Sequence, residues 1–420
     1  MGCYKKSVTK AAILTLLAAA LAAGADDPQA ALQQKARATY ERAVLPAQPQ
    51  LAETIDCVQA QAALLPVASR DEFPIVSYRK GYCALMAAAL TQTAAGFGEA
   101  AAAFEQARSG WPLRVKPVKG RPPEPAPSVL MVLSALGRLE AAGPEDGGVA
   151  DDLAVGVGRN TCSPELMTAA TCQAILQTGR EWLGWLALQR GDLAEATGDL
   201  ADQPGSYWMH WVAGKREFAQ GHYVDAAIAY GAAIELWRAS QARPNGDWMA
   251  RLGPQPRMGT ALTDLGGARL LAGETAAAIS TLDAALAAEP HNARACYLRA
   301  RAKEQAGQAA AASADYNLAV RTAFAGAVDL VSGEAHLYRG ILLYRRKDFS
   351  GAEDEFSSAL NVGIVAEMLP DAVAWRHLAA VSGGGCGASR KLLRESLGAV
   401  SPYFPKTDAS AAMAACANSL

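Results

Sequence analysis

The sequence predicts an all-α protein, an α-solenoid of stacked antiparallel helix hairpins, and three observations predict it. Strong helix formers, Ala above all, dominate the chain, and runs that alternate Val, Ile and Thr as strands require are scarce. Tight-turn glycines at 191, 221, 273 and 307 each separate two amphipathic stretches. The same order of residues recurs about every 34 residues. A single hairpin cannot bury its apolar side alone, so the units must stack.

The recurrence is clearest in the stretch where Leu262, Leu265 and Gly266 lead to Gly273, Ala278, Leu282, Ala285 and Pro290. One repeat later stand Cys296, Arg299, Ala300, Gly307, Ala312, Tyr316 and Ala319. After a short insertion come His336, Arg339, Gly340, Ala352, Phe356 and Ala359, with Lys347 at the turn-glycine position. Upstream, His210, Ala213, Gly214, Gly221, Ala226, Tyr230 and Ala233 keep the order, as do Leu183, Gly184, Gly191, Ala196 and Leu200 in a shortened unit. Gly214 and Ala226 are small enough for two helix backbones to approach. Tyr230, Leu282, Tyr316 and Phe356 are expected to fill the seam with the next hairpin.

This pattern resembles the tetratricopeptide repeat (TPR) family over residues 177–360, with a further copy at Ala84, Ala88, Phe97, Ala100, Phe104, Ala107 and Pro112. The resemblance implies a TPR-like superhelix whose first helices line a concave groove for a protein or peptide partner. Helical spacing puts Trp185, Trp208, Trp211, Lys215, Phe218, Arg294, Tyr297, Arg301, Tyr344 and Arg345 on that wall. Aromatic rings and guanidinium groups suit an extended peptide. The competing reading packs Trp182, Trp185, Trp208 and Trp211 between consecutive hairpins. The Asn and Lys clamp by which some family members hold a C-terminal carboxylate is not reproduced.

At the N-terminus, Lys5, Lys6 and Lys10 precede an apolar run from Ala11 to Ala23 and the small residues Ala23-Gly24-Ala25. That order predicts a secretory signal over 1–25, cleaved after Ala25, and a periplasmic or secreted mature chain. Lys6 stands where myristoylation needs Ser or Thr, and Cys3 precedes the apolar run instead of ending it, which argues against lipid anchors. No later stretch is long and apolar enough to span a membrane. Net charge is −2, without the concentrated basic patch that nucleic-acid binding requires.

Of eight cysteines, Cys57 and Cys83 are expected to face each other across antiparallel helices at 49–66 and 75–92. Cys386 and Cys416 are expected to staple the C-terminal end, and Cys162 and Cys172 to close a short loop, unless a continuous helix through Ser163 to Gln173 holds them apart. Cys296 is left over. No ligand spacing for a metal, no cofactor motif and no catalytic motif is present: the five histidines are scattered, and GGGCG at 383–387 lacks the lysine of a phosphate loop.

Punctuation divides the rest. The Pro-rich segment 112–128, a helix over Ser128–Ala142 and a break at 143–148 make 112–170 a linker region between an N-terminal helical module (26–111) and the main array (171–365). Residues 240–257 are expected to loop. In the closing part (366–420), helices near 371–381 and 388–399 precede a last helix with Asp408 as N-cap. The leading expectation is thus a non-enzymatic exported scaffold. Its rivals are an enzyme or accessory with a site in 26–170, and a structural module of an envelope assembly.

Overall fold

A computed structural model describes residues 27–46, 49–111, 126–145, 148–241, 248–323, 330–364, 366–400 and 404–417. The leader, most of the Pro-rich segment and part of the loop at 240–257 lie outside them. Every described regular element is helical, in the order of stacked antiparallel hairpins that the repeats predict. No helix among the described residues is long and apolar enough to cross a membrane.

Two compact units divide the chain: unit 1 takes residues up to Val212 together with Glu235–Gln255, and unit 2 takes Ala213–Ile234 with Pro256 onward. In unit 1, α1 (Pro28–Val44), α2 (Leu51–Leu64), α3 (Phe73–Thr91), α4 (Ala94–Gly110), α5 (Val129–Ala142), α6 (Val149–Arg159), α7 (Ala169–Gln189) and α8 (Leu193–Leu200) pack each on the next. Helices α9 (Tyr207–Ala219) and α10 (Tyr223–Gln241) are each divided between the units. Unit 2 continues with α11 (Met258–Leu271), α12 (Thr275–Ala288), α13 (Ala293–Gln305), α14 (Ala309–Ala323), α15 (Leu330–Arg345), α16 (Phe349–Val362), α17 (Leu369–Ser382), α18 (Ala388–Ser396) and α19 (Lys406–Ala417).

The interior of unit 1 is a large cluster in which Tyr78, Leu85, Phe104, Leu133, Leu153 and Ile175 are fully buried, and a smaller one of Leu32, Ala36, Ala60, Leu64 and Val76 joins α1, α2 and α3. It differs from the expected division at 112–170. Helices α5 and α6 sit inside the large cluster: Leu130, Leu133 and Leu136 recur at helical spacing on α5 and are fully buried, as is Leu153 on α6. Hydrogen bonds fix the entry: the Ser128 hydroxyl donates to Gly156 O (2.7 Å) and the Ser128 N–H to the Thr161 hydroxyl (2.7 Å). Residues 248–255 also belong here, with Trp248, Met249 and Leu252 packed into the core. Trp182 Nε1 donates to Leu252 O (2.6 Å) and Trp208 Nε1 to Pro254 O (2.8 Å), so two buried indoles hold this segment by its backbone.

Repeated geometry builds unit 2. At the α11/α12 turn, Gly273 adopts φ +83°, its N–H donates to Leu270 O (3.2 Å), and the next N–H, of Glu274, reaches Arg269 O (2.9 Å). This pair of bonds satisfies the last carbonyls of the first helix and needs a left-handed residue. Gly221 and Gly307 make the same turn, and Lys347 takes it at φ +63°. Below each turn, a small residue of the first helix admits a large one from the second. A Cβ on Gly214 would lie 2.5 Å from the Tyr230 ring, one on Gly266 2.5 Å from Leu282, and one on Gly340 2.6 Å from Phe356. The same large residues meet the next hairpin: Phe356 stacks on Trp375 at 5.8 Å and Tyr316 on Tyr338 at 6.5 Å.

Three cysteine pairs lie at disulfide distance, with Cα separations of 6.1 Å for Cys57 and Cys83, 6.0 Å for Cys162 and Cys172, and 5.3 Å for Cys386 and Cys416. The middle pair can close because α7 begins only at Ala169, capped by the Thr168 hydroxyl, and no continuous helix runs back through Ser163. Cys296 is free and buried. Asp408 lies within the first turn of α19 and is not its cap.

Candidate functional site

The first helices of the unit 2 hairpins lie side by side, α11 next to α13 and α13 next to α15, and polar side chains connect them. At the α9 end, Lys215 Nζ meets Asp264 Oδ2 at 2.7 Å and Arg294 Nη1 donates to Asp264 Oδ1 at 2.5 Å. Asp264 itself is only 2% exposed. A carboxylate so deep in an apolar helix is tolerable because two cations face it. Further along, Arg301 lies over the Tyr338 ring, its guanidinium carbon 3.8 Å from the centroid, and donates to the Tyr297 hydroxyl at 3.1 Å. Tyr297, Tyr316 and Tyr338 are mutually in contact at 5.7–6.5 Å. Glu304 accepts from the Tyr316 hydroxyl at 3.0 Å and pairs with Arg345 across to α15.

Burial pushes the Tyr297 and Tyr316 phenols far up, so both remain protonated donors at neutral pH. For Arg301, burial pulls the guanidinium down while the oxygens of Tyr297 and Tyr338 pull it up, and the net direction is up. The charge therefore persists. The opposite side of α13 is committed to structure: Arg299 makes two bonds to Asp315 (2.8 and 2.7 Å) and one to Asp283 (2.7 Å), tying the first helix to its flanking second helices.

The residues that the sequence places on a binding wall fall into two groups. Lys215, Phe218, Arg294, Tyr297, Arg301, Tyr344 and Arg345 belong to unit 2, and all but two of them take part in the contacts above. Phe218 packs instead on Tyr223 at 5.4 Å, and Tyr344 packs on Phe349 and Trp375, its hydroxyl 3.1 Å from that of Ser382. Trp185, Trp208 and Trp211 belong to unit 1. Trp208 and Trp211 are buried, packed on Tyr207 and on each other, and Trp185 is set edge-on to Trp182 at 5.3 Å. These rings are used inside unit 1.

Asp264, Glu304 and Tyr338 escape the sequence reading. Asp264 and Tyr338 occupy equivalent places in their repeats, and a lone carboxylate amid Leu262, Leu265, Gly266 and Gly267 is the signal that marks Asp264.

Three of the five histidines have local partners. His336 is buried with Nδ1 2.8 Å from Glu355, which Arg339 also holds at 3.1 Å, and His210 Nε2 lies 3.1 Å from Pro204 O. At the α9/α10 turn, ligand atoms of Glu217, His222 and Asp225 come within 4.8 Å of one another, a trio that the sequence spacing does not suggest. Glu217 is engaged there by His222 (3.0 Å) and Arg216 (2.9 Å), which lower its pKa, and the trio is that of a solvated turn. In unit 1, a cleft of about 200 Å³ between α1 and α2 is lined by Lys35, Thr39, Arg42, Asp56 and Gln59 over an apolar floor. Its one hydroxyl, on Thr39, is committed to the Lys35 and Ala36 carbonyls of its own helix.

No protein-family model matches the chain, and no curated protein matches it. Solved structures do. A MamA RS-1 ArsTM double mutant is 20% identical, covering 44% of this chain and 94% of its own, with TM-score 0.33. A crystal structure of MamA protein is 16% identical, covering 46% and 90%, with TM-score 0.34. Yeast Tom70 is 11% identical, covering 93% and 96%, with TM-score 0.39. Likeness at these levels transfers no residue role, partner or activity. The helical-repeat architecture rests on the hairpins themselves, and kinship with the tetratricopeptide proteins stays a resemblance.

Proposed function

We propose that this chain is an exported, non-enzymatic scaffold that holds a segment of a partner protein against the first-helix face of unit 2. The row of charged and aromatic side chains from Lys215 to Arg345 carries the reading, since it joins the first helices of four hairpins and, on α13, lies opposite the structural ion pairs of Arg299. A solenoid presents such a surface at low cost, because each hairpin orients its own side chains and stacking repeats the orientation. Three cysteine pairs at disulfide distance suit an oxidising compartment, in keeping with the signal-like N-terminal sequence.

The test is capture by a photo-crosslinking amino acid at Leu271, on a first helix and 45% exposed, against the same amino acid at Ile228, on a second helix and 66% exposed. One partner segment cross-linked from Leu271 and not from Ile228 is expected in the cell envelope. Equal capture from both positions, or from Ile228 alone, overturns the reading.

A further inference from the structure

Among the cations on the first-helix face, Arg301 is set apart. Lys215 and Arg294 meet Asp264, and Arg345 meets Glu304, whereas Arg301 has no ion pair among the described residues. Glu334 acts on the Tyr297 and Tyr338 phenols without pairing with Arg301. A half-buried guanidinium has lost water on the side that lies against Tyr338 and has five N–H donors, one of which is given to the Tyr297 hydroxyl. A cation so placed without a carboxylate is costly for folding alone and suited to binding, since ring and phenol hold the fork in one orientation before a ligand arrives.

We propose, resting on the scaffold reading above, that Arg301 is the anchor for a carboxylate on the bound segment, and that the segment is therefore acidic, with Asp or Glu side chains. The pairs around it show the mode. In Arg294 to Asp264 and Arg345 to Glu304, an arginine of one first helix takes a carboxylate of its neighbour. A partner's carboxylate at Arg301 repeats that arrangement with the acid supplied from outside. The exposed Leu271 offers apolar contact for the aliphatic part of the same segment.

The experiment uses the full oxidised chain and two labelled peptides on the same Gly/Ser backbone, one carrying glutamates and one lysines, followed by fluorescence anisotropy. The glutamate peptide is expected to bind with an affinity that falls as salt rises, and Arg301→Gln to weaken it by about tenfold or more, as loss of one partner of a desolvated charge pair does. Arg301→Lys, which keeps the charge and loses the fork, is expected to fall between the two; it also replaces Arg301→Gln if that variant's helicity or melting differs from wild type. Unchanged binding in the variants, or preference for the lysine peptide, overturns the acidic-segment proposal. If neither peptide binds while Leu271 still cross-links a partner, the proposal fails and the scaffold reading stands. If Leu271 captures nothing either, both fail.

Discussion

Unit 1 and unit 2 are assembled from the same element, the helix hairpin, and hold it together differently. In unit 1 the turns vary: Gln92 (φ +54°) ends α3 and Asn160 (φ +46°) ends α6 where unit 2 has glycine, and the large residues merge into one core. Further ties complete it, namely the Cys57 and Cys83 pair, the Cys162 and Cys172 pair, and the two indoles on the 248–255 backbone. Unit 2 repeats one turn and one small-to-large contact, and places its polar links on the side where first helices meet. The difference teaches which part is buttressed and which is displayed. A unit whose stability is distributed over similar hairpins can leave one side to charged residues, whereas Trp182, Trp208 and Trp211 of unit 1 are used in its interior.

The comparison breaks first at the disulfides. Cys57 and Cys83 are fully buried and join α2 to α3 across 26 residues of sequence. Replacing both with Ala is expected to destabilise unit 1 by about 3 kcal/mol, the scale for a loop of that size. Replacing Cys386 and Cys416, which tie α18's entry to α19, is expected to loosen that end and leave the α11–α16 hairpins intact. Hydrogen exchange resolved by segment reads both. Uniform loss of protection in the second variant would show that unit 2 is not held hairpin by hairpin.

Next in size is the contact under the turn. Gly340→Val puts a side chain against the Phe356 ring, already 2.6 Å from an added Cβ, and overpacking of this kind costs about 2 kcal/mol. In unit 1, Gly98 sits where an added Cβ meets only Ala141, at 4.0 Å, and Gly98→Val is expected to leave the denaturation midpoint almost unchanged. Equal midpoint shifts in the two variants would remove the special status of the repeated contact.

These two sites also mark the limit of what sequence discloses. Gly340, Phe356, the turn glycines and the cysteine pairing across α2 and α3 were legible because each rests on spacing within one hairpin. The burial of α5 and α6 was not, since proline and glycine on either side suggest a linker and the apolar surface they share comes from other helices, Phe104 and Ile175 among it. The first-helix face was legible in its residue types and not in its pairing. Asp264 is 30 residues from Arg294, and Trp208 is 46 from the Pro254 carbonyl that takes its N–H. Local periodicity orients a side chain, while its partner depends on how hairpins stack.

Acid and base act on the units in opposite senses. In unit 1, burial raises the Glu140 carboxyl from 4.5 to about 7, so the fold favours its neutral form; stability is greatest at and below pH 4.5, falls as pH rises to 7, and is flat above. After discounting for its partial exposure the loss is about 1–2 kcal/mol, and Glu140→Gln is expected to abolish it. In unit 2, burial and then Arg376 lower the pKa of His377 from 6.5; its contribution is complete above pH 6.5 and is lost as pH falls below that value. Titrating segment-resolved exchange between pH 4.5 and 7.5 should show the two slopes with opposite sign. A shared slope would assign the pH response to other groups.

The smallest change concerns Lys347, where unit 2 departs from its own rule. Its N–H donates to Tyr344 O at 2.8 Å and the following N–H to Leu343 O at 3.0 Å, the same two bonds that the turn glycines make, so the geometry is kept and only the residue type is unfavourable. A side chain at φ +63° costs roughly 1–2 kcal/mol relative to glycine, and glycine returns about half of that through the greater freedom of its unfolded chain. Lys347→Gly is therefore expected to stabilise unit 2 by about 0.5–1 kcal/mol. Gly273→Lys, the reverse exchange at an equivalent turn, should cost a similar amount. The pair forms its own control: both substitutions change one exposed lysine, so a charge effect moves them in directions set by their neighbours, whereas the backbone argument requires equal magnitudes and opposite signs.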